Sequence, residues 1–356
     1  MLWPAVSWDC GRHSIIAVVP LSRRALLVAP LLALDKPQLA PAEKFLTAAV
    51  TSGQLRAAVL RVEQGAFHYE RAFGAAKANT PFLIASISKP MTATAVMALV
   101  DRGELKLDEP ARKHLPKLDP RITLRHLLSH SSGLPDMLPE NVALRQRHAP
   151  LSDFAKAAET TPLLFAPGTK VQYQSMGILL AATIAEKVTK IPFPQFLDTQ
   201  VFAPLGMKSV LGLRPGLTIQ DTAQCQVEYA EPKGTTGWDW NSEYWRKLGA
   251  PWGGVHATAA DISHLLSYFL KPSGKPLTKA SAAMMIRNQH PGLNQPYGIG
   301  WALPSSLSGK RFGHGGSSGT QCWADPATGI SFVLLTTLPA SVSQKTILDP
   351  VSLMVS

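Results

Sequence analysis

From Arg56 onward the apolar positions come in short β-forming runs. Residues 57–62 and 67–73 are rich in branched and aromatic side chains, and Glu63-Gln64-Gly65 between them supplies a turn with glycine, so the pair reads as a hairpin. After the apolar run Phe82-Leu83-Ile84-Ala85 the pattern changes. A helix is predicted from Ser86 to about Arg102, with Gly103 as its stop. Its apolar residues, among them Met91, Ala95, Met97, Ala98 and Val100, are too dense for one exposed helix face, so this helix is predicted to be buried.

Residues 105–250 read as mainly helical or irregular. Thr123 is placed to cap a helix over 124–130, ended by Gly133-Leu134-Pro135, and Ser152 one over 154–160. Residues 177–189 form a further apolar helix and 193–201 a short one. Thr258-Ala259-Ala260-Asp261 has the form of a capping box leading into a helix to Leu270. Strand-like runs then return at 298–303, 311–314, 320–324 and 330–338. Strands, then helices, then strands predict a mixed α/β (α+β) architecture: a sheet domain from 43–115 plus 251–356, discontinuous in sequence, carrying a helical domain at 116–250. A pocket is expected between the two.

Composition adds little that is unusual. The chain has 356 residues, 46% hydrophobic and 17% charged, ordinary for a folded enzyme. Its net charge is +11. Residues 1–42 supply +2 of it, from Arg12, Arg23, Arg24 and Lys36 against Asp9 and Asp35, and the rest is dispersed. Such a field favours anionic small molecules or surfaces. No zinc-finger spacing or basic stripe interleaved with aromatics accompanies it, so no nucleic-acid partner is expected. Of three cysteines, Cys10 lies near the N-terminus, while Cys225 and Cys322 are candidates to pair without forming a framework. No cysteine or histidine cluster calls for a metal.

The N-terminus carries Arg23-Arg24, an apolar run at 25–34 and Ala40-Pro41-Ala42 as a candidate cleavage site, the layout of an export signal. Residues 1–42 are therefore read as a leader or a disordered segment, with core packing as the alternative. Export to the periplasm or medium is expected if the leader operates, and a cytoplasmic location otherwise. The apolar run is too short to span a bilayer, so no transmembrane anchor is expected. The sequence assigns no oligomeric state.

Ser86-Ile87-Ser88-Lys89 is an S-x-x-K motif at a predicted helix start. Residues i and i+3 share a helix face, so the amine can reach the hydroxyl. A serine is a weak nucleophile until a neighbouring base takes its proton, and a lysine serves as that base only when burial or positive neighbours lower its pKa. The buried helix offers that burial, and its N-terminus offers N–H groups suited to an oxyanion.

The segment Phe82-Leu83-Ile84-Ala85-Ser86-Ile87-Ser88-Lys89-Pro90-Met91-Thr92-Ala93 resembles the nucleophile region of class C β-lactamases and the β-lactamase-like carboxylesterases called family eight. The run from Ile122 through Ser129-His130-Ser131-Ser132-Gly133-Leu134-Pro135 resembles a signature of the same family. So do Pro204-Leu205-Gly206-Met207, Gly253-Gly254 with Thr258 and Asp261, and Tyr297-Gly298-Ile299-Gly300-Trp301, all in family order between about residues 56 and 338. The resemblance implies a β-lactamase/transpeptidase-like antiparallel sheet flanked by helices, with an inserted all-helical domain, and a serine hydrolase acting through an acyl-enzyme without cofactor. It implies that Tyr173, in Tyr173-Gln174-Ser175 where the family usually has Y-x-N, completes a Ser86–Lys89–Tyr173 proton relay, its phenol partly ionised and able to act as base. Ser175 replaces the usual asparagine carboxamide with a shorter hydroxyl, which weakens a β-lactamase reading more than an esterase one. His314-Gly315-Gly316 stands where the family often has Lys-Thr-Gly. By position, the Ser317 N–H joins that of Ser86 as an oxyanion hole, and His314 binds a substrate carboxylate or polar group, with the glycines letting backbone approach the ligand.

The expected substrate is a small ester, a β-lactam or a D-amino-acid peptide, with esters favoured. The alternative from another class is a non-catalytic penicillin sensor or scaffold. Gly315-Gly316-Ser317-Ser318-Gly319 also matches the G-x-S-x-G elbow of another hydrolase fold, but no histidine follows His314, as that triad requires. His126 and His130, four apart, lack the glutamate of a metal-binding H-E-x-x-H and read as structural. Trp238, Trp240, Tyr244, Trp245 and Trp252 either line an acyl pocket or pack a loop.

Overall fold

A computed structural model of the chain describes residues 34–230, 234–304 and 311–356. Arg23-Arg24 and Cys10 lie outside the described residues. The first helix, α1 (Lys36–Thr51), starts inside the segment read as leader or disorder. Asp35 caps it, accepting from the Gln38 N–H at 3.2 Å while the Gln38 side chain accepts from the Asp35 N–H. Leu39, Ala42 and Leu46 on one face are fully buried, so Ala40-Pro41-Ala42 sits within a helix that contributes to the core.

The strands are β1 (Ala57–Gln64), β2 (Phe67–Gly74), β3 (Phe82–Leu83), β4 (Val210–Leu211), β5 (Val255–Ala257), β6 (Phe312–Gly316), β7 (Thr320–Asp325) and β8 (Ile330–Thr336). Five form an antiparallel sheet in the order β2-β1-β8-β7-β6. Its centre joins the two ends of the chain, with Val59 opposite Leu335 and Val62 opposite Phe332. Side chains alternate across the sheet. Ala58, Leu60, Val62, Phe332 and Leu334 face α1 and the C-terminal helix α12 (Asp349–Val355), while Val59, Val333 and Leu335 join the larger core on the other side. The remaining three strands pair as β3-β5-β4. The short β4 lies in the stretch expected to be helical or irregular.

Between these strands run α2 (Ser88–Asp101), α3 (Leu124–Leu128), α4 (Asn141–Gln146), α5 (Leu151–Ala158), α6 (Met176–Thr189), α7 (Phe193–Leu197), α8 (Glu243–Leu248), α9 (Ala259–Leu270) and α10 (Lys279–Met285), with α11 (Ala340–Ser343) after β8. As its composition predicts, α2 is buried at every position from Ser88 through Leu99. Thr123 and Thr258 cap α3 and α9 by reciprocal side-chain to backbone hydrogen bonds. Ser152 is not a cap: α5 begins at Leu151, directly behind Pro150, which pre-sets the entry. Nor is 298–303 a strand. Gly298 and Gly300 bring the chain so near its neighbours that a Cβ would fall 2.2 Å from the Met285 carbonyl oxygen and 2.5 Å from the Ala93 Cβ. That crowding leaves only isolated bridges, from Ala302 to Tyr297 and Gly313. Cys225 and Cys322 are both buried and no disulfide joins them, so the candidate pair does not form. Among the described residues no helix is long and apolar enough to cross a membrane.

Candidate active site

The expected helix from Ser86 becomes α-helical two residues later. Residues Ala85–Ile87 form a tight 3₁₀ turn and α2 follows from Ser88. The cause lies in the chain just before it. β3 pairs with β5, and the Ile84 N–H extends that pairing to the Val255 carbonyl at 3.0 Å. Ala85 then turns sharply with φ +44°, a left-handed conformation that costs a non-glycine residue of order 1–3 kcal/mol and has to be held by its surroundings. Ser88 holds it. Its hydroxyl donates to the Ala85 carbonyl at 2.7 Å and accepts from the Val255 N–H at 3.0 Å. Thr92, one turn on, donates to the Pro251 carbonyl at 2.6 Å. Residues 251–255 are thus bound along the start of α2, and Ser86 is presented partly exposed among buried neighbours.

Lys89 points from α2 to the same place. Its Nζ lies 2.9 Å from Ser86 Oγ, 3.1 Å from the Trp252 carbonyl and 4.6 Å from the centre of the Tyr173 ring. The side chain is 0% exposed. Burial brings its pKa down from 10.5 to about 7, with the Asp136 carboxylate pulling weakly the other way. A large fraction of Lys89 is therefore neutral near pH 7, and a neutral amine accepts the Ser86 proton.

Tyr173 reaches this group from the turn before α6. The Ser-His-Ser-Ser-Gly segment holds that turn: the Gln172 N–H donates to the His130 carbonyl at 2.8 Å and the Gly168 N–H to that of Ser131 at 2.8 Å. Gln174 bridges them, accepting from Ser132 Oγ at 2.6 Å and donating to the His126 carbonyl at 3.2 Å. The Tyr173 hydroxyl interacts with Ser86, but burial holds its pKa well above 10. The expected partly ionised phenol is corrected accordingly: Tyr173 is a neutral hydroxyl here, and Lys89 is the group able to take a proton.

Among the described residues neither His126 nor His130 belongs to a group of three or more side chains that could hold a metal ion. His126 Nδ1 accepts from the Thr123 N–H in the α3 cap. His130 is enclosed between Tyr173 and Tyr297, with ring centroids 4.7 and 4.4 Å away.

On the opposite wall, β6 runs against the 3₁₀ turn. Gly316 permits it, since a Cβ there would fall 2.3 Å from the Ile84 carbonyl oxygen and 2.2 Å from Thr320 Oγ1. Ser318 Oγ donates to the Leu83 carbonyl at 2.6 Å and Thr320 Oγ1 to that of Ile84 at 3.0 Å. Ser317 is thereby held beside the segment that ends in Ser86, and it and Gly315 are partly exposed. His314 is 4% exposed. Its Nδ1 lies 2.7 Å from the Gly315 carbonyl, which can only accept, so Nδ1 carries the proton. Nε2 therefore accepts from the Tyr297 hydroxyl, 3.1 Å away. Burial, reinforced by Lys89, lowers the His314 pKa to about 3. The imidazole assigned from the sequence to a substrate carboxylate or polar group is thus neutral, with both nitrogens engaged within the protein.

Ser175 is buried, and its hydroxyl donates to Asp136 Oδ1 at 2.6 Å. Asp136 and Tyr297 were not singled out from the sequence, although Asp136 directly follows one family signature and Tyr297 opens another. The tryptophan stretch is loop packing. Trp240, Trp245 and Trp252 are buried, Arg145 lies over Trp238 and Trp245, and the Tyr244 hydroxyl bonds the Ala149 carbonyl.

A serine–lysine–tyrosine cluster between an edge strand and the N-terminus of a buried helix defines a class, and comparison with known proteins agrees. The family model described as Beta-lactamase matches residues 42–350, and the chain belongs to that family of serine hydrolases. Among its relatives, esterase EstB of Burkholderia gladioli is 33% identical over 179 residues, 43% of this chain and 45% of the esterase. The match therefore covers less than half of that relative. Penicillin-binding protein 4 of Amycolatopsis lactamdurans is 27% identical over 281 residues, 72% of each chain. The structure of EstCE1, a hydrolase with promiscuous acyltransferase activity, superposes with a TM-score of 0.72 at 20% identity, covering 89% of this chain and 98% of that one, which establishes the shared fold.

Proposed function

We propose that this chain hydrolyses small carboxylic esters through an acyl-enzyme on Ser86. The observation that carries the reading is the 2.9 Å contact between Ser86 Oγ and a fully buried lysine amine whose pKa falls to about 7. Neutral Lys89 takes the hydroxyl proton as Oγ attacks the ester carbonyl. The backbone N–H groups of Ser86 and Ser317 stabilise the oxyanion. The tetrahedral intermediate then collapses to an acyl-serine as the alkoxide leaves, protonated from the Lys89 ammonium directly or through the Tyr173 hydroxyl. Water, activated by the same pair, hydrolyses the acyl-serine and restores the resting state. None of these steps requires a metal or organic cofactor.

Esters are favoured over β-lactams and D-peptides because, among the described residues, the wall formed by His314 brings no cation to the site. A penicillin or a peptide C-terminus brings a carboxylate, and a neutral imidazole with both nitrogens engaged offers it no charge. The relatives named as an esterase and as a penicillin-binding protein leave both substrate types worth assaying. The test sets a short-chain nitrophenyl ester beside a chromogenic cephalosporin, with fluorophosphonate labelling and peptide mapping of the modified residue. Ester turnover with label on Ser86, both abolished in Ser86→Ala, is expected. Ester turnover that survives Ser86→Ala refutes the reading. Label without turnover identifies a sensor instead.

A further inference from the structure

His130 grips the chain on both sides of Tyr173. Its carbonyl accepts from the Gln172 N–H at 2.8 Å, and its ring Nδ1 accepts from the Gln174 N–H at 3.3 Å. The ring itself lies against the phenol, with 4.7 Å between centroids, and the Tyr297 ring packs edge-on to it at 4.4 Å. His130 does this in a left-handed conformation, φ +60°, which a non-glycine residue adopts only where its surroundings hold it. The grip depends on one tautomer. A backbone N–H only donates, so Nδ1 is unprotonated and Nε2 carries the ring proton. Nε2 is buried and has no hydrogen-bond partner among the described residues. A donor left unmet in the interior opposes folding, and an apolar side chain would avoid that cost, but it could not accept from Gln174. Burial keeps the ring neutral, its pKa well below the usual value, with Lys89 and His314 acting in the same direction.

We infer that His130 is the positioning residue of the proton relay: its carbonyl and Nδ1 together fix the two peptide N–H groups that flank Tyr173, and so hold the phenol against Ser86 and Lys89. This rests on the proposed role of Ser86 as nucleophile, while the assignment itself concerns only how Tyr173 is held. Lys89 needs no such device, because it lies one helical turn from Ser86. Tyr173 comes from a turn distant in sequence, and its ring centre stands 4.6 Å from Lys89 Nζ, so a small rotation of the backbone at 172–174 carries the hydroxyl out of the relay. His130 acts on the reaction only through Tyr173.

Two measurements test it. In ring-nitrogen NMR of the intact protein at pH 7, the His130 signals, identified by their absence from the His130→Asn spectrum, are expected to show an unprotonated Nδ1 and a protonated Nε2. A proton on Nδ1 overturns the grip. The second measurement is the rate at which a fluorophosphonate labels Ser86, which requires no ester turnover. His130→Leu keeps an apolar bulk and loses the acceptor. It is expected to slow labelling about tenfold or more, but by less than about twofold in a Tyr173→Phe background, where no hydroxyl is left to place. His130→Asn, whose Oδ1 can replace Nδ1 as acceptor and which tolerates the left-handed backbone, should keep the rate within about threefold. A histidine that only supports the fold predicts the same loss from His130→Leu in both backgrounds. That result, or a Tyr173→Phe protein that labels as fast as the intact one, overturns the inference. The selective loss of labelling without turnover of a nitrophenyl ester leaves the role of His130 standing and removes the esterase reading.

Discussion

If burial makes Lys89 the base, catalysis has to follow the titration of a single buried amine. With its pKa lowered from 10.5 to about 7, half of Lys89 is neutral at pH 7. An exposed lysine would be neutral in only about one molecule in 3,000, a difference of roughly 5 kcal/mol. The sign is set by desolvation, which penalises the charged form, so the active species accumulates as pH rises. For an ester without ionisable groups, kcat/KM is expected to increase about tenfold from pH 5 to 6 and about fivefold from pH 6 to 7, then level off above pH 8. Lys89→Arg retains the positive charge but cannot give up its proton, and it should reduce kcat/KM by about 10²–10⁴ at pH 7. Asp136 raises the Lys89 pKa, so Asp136→Asn should move the whole profile to lower pH. Initial rates of a nitrophenyl ester across pH 5–9, corrected for the ionisation of the product, measure all three. A flat profile between pH 5.5 and 8, or a Lys89→Arg variant keeping a tenth or more of the activity, refutes the assignment of Lys89 as base.

Three further outcomes follow from the packing of the site. Gly316→Ala places a methyl group 2.3 Å from the Ile84 carbonyl oxygen, so β6 must shift; thermal melts should show about 1–3 kcal/mol of destabilisation together with a loss of esterase activity. Ser88→Ala leaves the buried Val255 N–H without its acceptor and frees the strained Ala85 turn, at a cost of about 1–3 kcal/mol by urea denaturation and with a drop in kcat. Tyr297→Phe strips the donor from His314 Nε2 and should also cost about 1–3 kcal/mol, as denaturant midpoints will show.

Local chemistry along the chain determined a good part of this molecule. Ser86 and Lys89 meet because three residues of separation places them together on one turn, and that contact needs no distant segment. The cap at Thr123, the capping box at Thr258 and the burial of α2 were equally legible, since each depends on residue types within a few positions. The β6, β7 and β8 runs were found, because period and composition carry strand identity. Ser152 misled because the helix already begins at Leu151, behind Pro150 at its N-cap, and 298–303 misled because its glycines serve a close approach to Met285 and Ala93.

What only the tertiary structure decided is the chemical state of these groups. β1 lies beside β8 through hydrogen bonds between opposite ends of the described chain, and that closure sets β6 against the Ser86 turn. Tyr173 arrives through a network anchored at Ser131, Ser132 and His130, and its phenol stays neutral because burial disfavours the anion. The same desolvation makes Lys89 a base and leaves His314 uncharged, and the Ser175–Asp136 contact turns an unusual serine into an anchor for a carboxylate. A pKa and a hydrogen-bond partner belong to a side chain's surroundings in space, and those surroundings come from segments far apart in the sequence.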